Sequence, residues 1–184
     1  MRPLFIIGYM ATGKTTFGEA LASHLGLNFI DLDKYIEMKS EMTVPEIFKK
    51  YGETGFRALE SRALEEVAEK ENSVIACGGG TPCFNSNMDL MMRKGLTVCL
   101  EASMDCIIRR VLDTPEKRPL LASLSADELK TKIRAHLKER NPFYSRAEIK
   151  WDGEKLENEE QIRDNIEAFV NFFNDFIANQ KTLH

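Results

Sequence analysis

Short, mainly apolar runs alternate along this chain with longer stretches whose apolar residues recur at helical spacing. The runs are Leu4–Ile7, Phe29–Ile30, Val74–Ala76 and Leu96–Leu100, with a weaker one at Glu148–Trp151. Apolar runs without polar alternation suit strands buried on both faces, and helices between such strands cover those faces. The pattern predicts an α/β fold of three αβα layers around a central, mostly parallel five-stranded sheet. In the last helical stretch Ile162, Ile166, Phe169, Val170, Phe173, Phe176 and Ile177 share one face. That stripe reads as core, with Asn179–His184 as a frayed tail.

Neither repeats nor a linker interrupt the alternation, so residues 1–184 read as one domain. Thr114–Leu124, with two prolines and a Lys-Arg pair, is the stretch that reads as a mobile excursion. A net charge of −4 gives no global basic signal for nucleic acid or an acidic membrane. No apolar stretch is long enough to cross a bilayer. Met1-Arg2-Pro3 enters a strand-like run at once, which leaves no room for a signal peptide. Cys77, Cys83, Cys99 and Cys106 form no close CxxC pair and have no histidine cluster beside them. They read as reduced packing residues of a cytoplasmic protein.

Chemistry enters directly after the first run. Gly8-x-x-x-x-Gly13-Lys14-Thr15 follows a strand and opens a helix over Thr15–Leu25. That is the context in which a glycine-rich loop cradles phosphates with its N–H groups, aided by the positive end of the helix. Lys14 would reach the β- and γ-phosphates, and the Thr15 hydroxyl would ligate Mg²⁺. Motors, GTPases, transporters and small-molecule kinases all share the pattern, so the loop alone names a nucleotide and no reaction.

Further along, Phe29-Ile30 leads into Asp31-Leu32-Asp33. In an extended chain both carboxylates would project together at the carboxyl edge of the sheet, one for water around Mg²⁺ and one to orient an acceptor hydroxyl. Capping of a helix over Lys34–Lys39 would explain the same residues. On a wheel of about 100° per residue, Glu60 falls inside the apolar arc of Phe56, Leu59, Ala63 and Val67, with Arg57 at its edge. A charge there needs a partner, and Arg57 is three residues away. The pair is either structural or a rigid mount for an arginine that grips a carboxylate. Gly78-Gly79-Gly80 follows the third run, either as a plain turn or as close approach of main chain to a ligand. Arg109, Arg110, Arg118, Arg134, Arg140 and Arg146 supply cations. Arg118 lies in the Pro-flanked excursion, as expected of a lid over phosphates. Pro142 is expected to end a helix at Arg140-Asn141 and aim Arg140 at an anion.

The set Asp31-Leu32-Asp33, "TVPEIFKKYGETGFRALE", "CGGGTP", "RPLL" and "ERNPFYSRA" resembles the shikimate kinase family, within the nucleoside-monophosphate-kinase-like P-loop fold. The likeness runs from about Leu4 to Trp151. It implies a P-loop NTPase-type fold with a lid near 112–124 and an acceptor-binding helical segment near 33–61. It implies ATP- and Mg²⁺-dependent phosphorylation of the shikimate 3-hydroxyl, a step toward chorismate and aromatic amino acids, by a monomer. Ala11, Thr12, Gly13, Lys14, Thr15 and Thr16 would hold the ATP phosphates, and Thr15 with Asp31 the metal. Asp33, Arg57, Gly78, Gly79, Gly80 and Arg140 would meet shikimate, with Glu60 bracing Arg57. Lys14, Asp33 and Arg118 would be catalytic, and Arg110, or else Arg109, would flank adenine. Ala11 departs from the family, which usually has glycine there; a β-carbon is expected to be tolerated if Ala11 keeps a negative φ, and otherwise to weaken ATP binding. The spacing from Arg110 to Arg118 also looks slightly long for the family. On the residues alone, a gluconate or nucleoside monophosphate kinase and a module that binds ATP without turnover remain alternatives.

Overall fold

The structure, a computed structural model, describes residues 1–114 and 124–182. Five strands form one parallel sheet in the order β2-β3-β1-β4-β5: β1 Leu4–Ile7, β2 Asn28–Asp31, β3 Ser73–Ala76, β4 Leu96–Glu101 and β5 Ile149–Asp152. Each predicted apolar run is a strand. The helices are α1 Lys14–Leu25, α2 Leu32–Ser40, α3 Val44–Ala68, α4 Asn87–Lys94, α5 Met104–Leu112, α6 Ala126–Tyr144 and α7 Glu159–Thr182. A 3₁₀ turn, Thr81–Cys83, follows the triple glycine.

The period of two along β1 divides the core. Phe5 and Ile7 enter the cluster built by α2 to α6, while Leu4 and Ile6 enter the one built by α1 and α7. The predicted stripe on α7 packs there, with Ile166, Phe169 and Phe173 buried and Trp151 edge-on to Phe169. β1 lies between β3 and β4, with Leu4 opposite both Val74 and Leu96. The chain order reverses around β1, so the crevice for a ligand opens at its carboxyl end, where the glycine-rich loop begins.

Four local features go beyond or against the sequence pattern. First, α2 starts at Leu32 rather than Lys34, because Asp31 caps it by accepting from the amides of Asp33 and Lys34. Second, α3 is broken at Gly52, whose φ of 67° no helix accommodates. Third, α6 runs through Pro142 to Tyr144. One backbone hydrogen bond near a helix end is a small loss, and the buried Tyr144, bonded through its hydroxyl to the Gly79 carbonyl, anchors the last turn. Fourth, α7 continues past Asn179 to Thr182.

Candidate functional site

A cleft of about 850 Å³ opens where β1, β2 and β3 end. Its floor is the loop Gly8–Gly13. The Tyr9 carbonyl accepts from two side chains, Lys14 Nζ at 2.8 Å and Thr12 Oγ1 at 2.8 Å, which ties the loop to the first turn of α1. Gly13 caps α1 at a φ of 94°, a conformation few side chains tolerate. The α1 first-turn amides, without intrahelical acceptors, open with Lys14, Thr15 and Thr16 onto the cleft. Thr12 differs: its side chain is buried beneath the loop and does not line the cleft. Ala11 lines the cleft with a φ of 61°, so the condition under which its β-carbon would be tolerated without strain is not met. The loop needs a left-handed residue there, and alanine holds that shape against its own β-carbon.

Asp31 and Asp33 both reach the cleft, though not from one extended segment as expected. Asp31 ends β2, whereas Asp33 is in the first turn of α2. Asp31 divides its carboxylate between the two readings of the sequence. Oδ1 caps α2, and Oδ2 accepts from Thr15 Oγ1 at 3.2 Å. The Asp33 carboxyl is pushed up to about 6, first by burial and then by the charges of Asp31 and Glu60, against the opposing pull of Lys14.

The far end of the cleft is built around Gly78–Gly80. Glu60 is fully buried, as the helical wheel requires, and its Oε2 accepts from Arg57 Nη1 at 2.9 Å. The Arg57 guanidinium stacks on Phe84 at 4.2 Å and also pairs with Glu53 at 3.2 Å. A β-carbon on Gly80 would meet Arg57 Nη2 at 2.6 Å, and one on Gly79 would meet Arg140 Nη1 at 3.4 Å. A β-carbon on Gly78 would come within 3.3 Å of Asp33 Oδ1. The triple glycine thus lets two guanidinium groups and the Asp33 carboxylate crowd one turn of main chain. Arg140 also lies over the Tyr9 ring, 5.5 Å from its centroid.

Of the other arginines, Arg110 lines the cleft with its side chain drawn under the loop, donating to the carbonyls of Ala11 at 3.1 Å, Gly153 at 2.9 Å and Glu154 at 2.6 Å. Arg109 points elsewhere, paired with Glu157. Arg134 is exposed, and Arg146 pairs with Asp89. Arg118 and most of the expected lid lie outside the described residues.

Sequence reasoning missed several members. Thr81 Oγ1 donates to Glu60 Oε1 at 2.6 Å. Tyr9 is hydrogen-bonded to His136 Nδ1 at 3.0 Å, and His136 titrates below its ordinary range because of burial and the nearby Arg140 and Lys132. Leu156, just after β5, closes the cleft beside Gly13. A hydroxyl directly after the triple glycine was the one local signal available. All four cysteines are free thiols. Among the described residues, no helix is long and apolar enough to cross a membrane.

Comparison with known proteins agrees with this geometry. The family model for shikimate kinase matches residues 10–171. A shikimate kinase of Phocaeicola vulgatus is 45% identical over 91% of this chain and 96% of its own length. The crystal structure of shikimate kinase from Bacteroides thetaiotaomicron superposes with a TM-score of 0.90 at 43% identity, covering 94% of this chain and 98% of that one. Shikimate kinase from Acinetobacter baumannii, solved in complex with shikimate, gives a TM-score of 0.82 at 31% identity over 95% of this chain and 94% of that one. With a phosphate loop lining its cleft, two arginines packed against the triple glycine beside it, and relatives matched over nearly its whole length, this chain belongs to the shikimate kinase family.

Proposed function

We propose that this chain transfers the γ-phosphoryl group of ATP to the 3-hydroxyl of shikimate, giving shikimate 3-phosphate and ADP on the route to chorismate. The observation that carries the reading is the crowding of Arg57, Arg140 and Asp33 around Gly78–Gly80, at the end of the cleft away from α1. Two guanidinium groups call for an anionic acceptor, and a carboxylate with a raised pKa calls for a hydroxyl. Shikimate carries a carboxylate and hydroxyls on one small ring. Arg57 Nε is buried with no acceptor among the described residues, a donor that a bound carboxylate would satisfy.

In this reading Ala11 to Thr16 hold the phosphates with their amides, and Lys14 swings from the Tyr9 carbonyl to the transferring group. Arg110 stiffens the loop from beneath and borders the nucleobase end with Leu156. Asp33 accepts the acceptor hydroxyl proton or orients that hydroxyl. Mg²⁺ fits the donors present. The Thr15 hydroxyl gives its proton to Asp31 Oδ2, which leaves its lone pairs for a metal. No cluster of three acidic, His or Cys ligands occurs among the described residues, as suits an ion that keeps most of its shell as water and phosphate oxygens. Bound there, the ion would offset charge on the β- and γ-phosphoryl oxygens. Arg118 would add a cation from the lid. The reading is of a cytoplasmic monomer acting on small molecules, with no nucleic acid or membrane partner.

The test is ADP release from ATP·Mg²⁺ with shikimate, gluconate, AMP or no acceptor in parallel. Release with shikimate alone supports the reading. Release with gluconate or AMP would reassign the acceptor, and ATP binding without acceptor-dependent release would make the chain a nucleotide-binding module.

A further inference from the structure

Glu60 is the hub on which Arg57 is mounted, and its own orientation has to come from somewhere. The terminal torsion of a glutamate side chain is broad, with no staggered wells to hold it. A single bond to Arg57 leaves the carboxylate plane free to turn. The second oxygen, Oε1, is held by Thr81 Oγ1 at 2.6 Å, shorter than the 2.9 Å bond from Oε2 to Arg57 Nη1. Thr81 is fully buried, and its other polar groups are engaged too. Its amide donates to the Gly78 carbonyl at 3.1 Å, and its carbonyl accepts from Asn87 Nδ2 at 2.9 Å. Asn87 is itself buried. Branching at Cβ restricts the Thr81 side chain further. Gly78 leaves room for the bond, since a β-carbon there would lie 3.1 Å from Thr81 Oγ1 and 3.2 Å from Glu60 Oε1.

We propose that Thr81 is a positioning residue for acceptor binding: its hydroxyl fixes the plane of the Glu60 carboxylate, and Glu60 in turn fixes the Arg57 fork. The polar chain runs Asn87, Thr81, Glu60, Arg57, from α4 through the 3₁₀ turn to α3. The proposal rests on the acceptor site described above. Thr81 itself is fully buried and does not line the cleft, so it acts through Glu60. Without its hydroxyl, Oε1 is a buried carboxylate oxygen with no donor, the carboxylate rotates, and the guanidinium loses its fixed aim while its charge remains.

The test compares Thr81→Val, which keeps the shape, with Thr81→Ser, which keeps the hydroxyl. The valine variant is expected to raise KM for shikimate roughly tenfold, with kcat and KM for ATP unchanged, and the serine variant to restore most of the loss. A readout independent of the acceptor is the guanidinium region of an arginine-selective ¹⁵N spectrum. The Arg57 Nη signals should be separate and slowly exchanging in the wild type and averaged in Thr81→Val. Retention of separate signals in the valine variant overturns the proposal, whatever the acceptor proves to be. Parallel loss of kcat, both KM values and Tm would show a general packing role and would also overturn it. Failure of the wild type to phosphorylate shikimate, with the spectral change still present, would instead strike the reading of the acceptor.

Discussion

Gly80 and the Arg57 guanidinium touch so closely that a β-carbon on Gly80 would come 2.6 Å from Nη2 and 3.0 Å from the central carbon of the guanidinium. The glycine is there for the arginine next to it. Gly80 has a φ of −93°, which alanine adopts without strain, so Gly80→Ala isolates the contact from any backbone effect. Displacement of Arg57 should raise KM for shikimate roughly ten- to a hundredfold, with KM for ATP little changed. Steady-state kinetics with each substrate varied in turn checks this. An equal rise in both would mean that the turn, rather than the arginine, had moved.

Asp33 makes two predictions of opposite sign. Its folded pKa of about 6 lies above its unfolded value of 3.8, so the folded state binds the proton more tightly. The stabilisation from Asp33 is therefore full below pH 3.8 and lost as pH rises through 6. Asp33→Asn should have a higher Tm than the wild type at pH 8 and should lose that advantage near pH 4. Activity runs the other way, because the ionised carboxylate is the one that serves the hydroxyl. The wild-type kcat/KM for shikimate should fall below pH 6, and Asp33→Asn should lower kcat roughly 10²- to 10⁴-fold with ATP affinity kept. A large loss of ATP binding would place Asp33 on the metal instead.

Lys14 rests against the Tyr9 carbonyl at 2.8 Å, close to the loop that would hold the phosphates. Lys14→Ala should lower kcat about 10³-fold, since a positioned cation is worth most where charge develops in the transition state. Near-normal kcat in a rapid-quench assay would refute its role.

Ala11 at a φ of 61° should respond to glycine in the unusual direction. Relief of the left-handed strain, about 1–2 kcal/mol, outweighs the extra backbone freedom glycine brings to the unfolded chain. Ala11→Gly should raise Tm by roughly 2–4 °C in calorimetry. A drop in Tm would show that the loop holds alanine without cost.

What the sequence made legible was whatever its local periods carry. The phosphate loop was readable because its residues are consecutive and a strand and helix flank them. Glu60 was readable because a helical period of 3.6 places it among Phe56, Ala63 and Val67. Tyr9 and His136 are 127 positions apart, and nothing near either one announces the other. The same holds for Arg110 and its acceptors, the carbonyls of Ala11 and Gly153, 99 and 43 positions away. Pro142 shows a local rule losing to tertiary anchoring, with Tyr144 holding the final turn of α6. Ala11 shows the reverse, a residue whose type argued for one backbone shape while the loop imposed another.

The claim on which the rest depends is that Arg57 and Arg140 together grip a carboxylate on the acceptor. The most direct measurement is kcat/KM for shikimate against its carboxamide, the same ring with the charge removed. Charge-assisted bonds to two guanidinium groups predict a loss of roughly 10²-fold or more for the amide in the wild type. The loss should be much smaller in Arg140→Ala, where one partner is already gone. Equal turnover of acid and amide by the wild type, or an undiminished preference in the variant, would contradict the assignment of these arginines to the carboxylate.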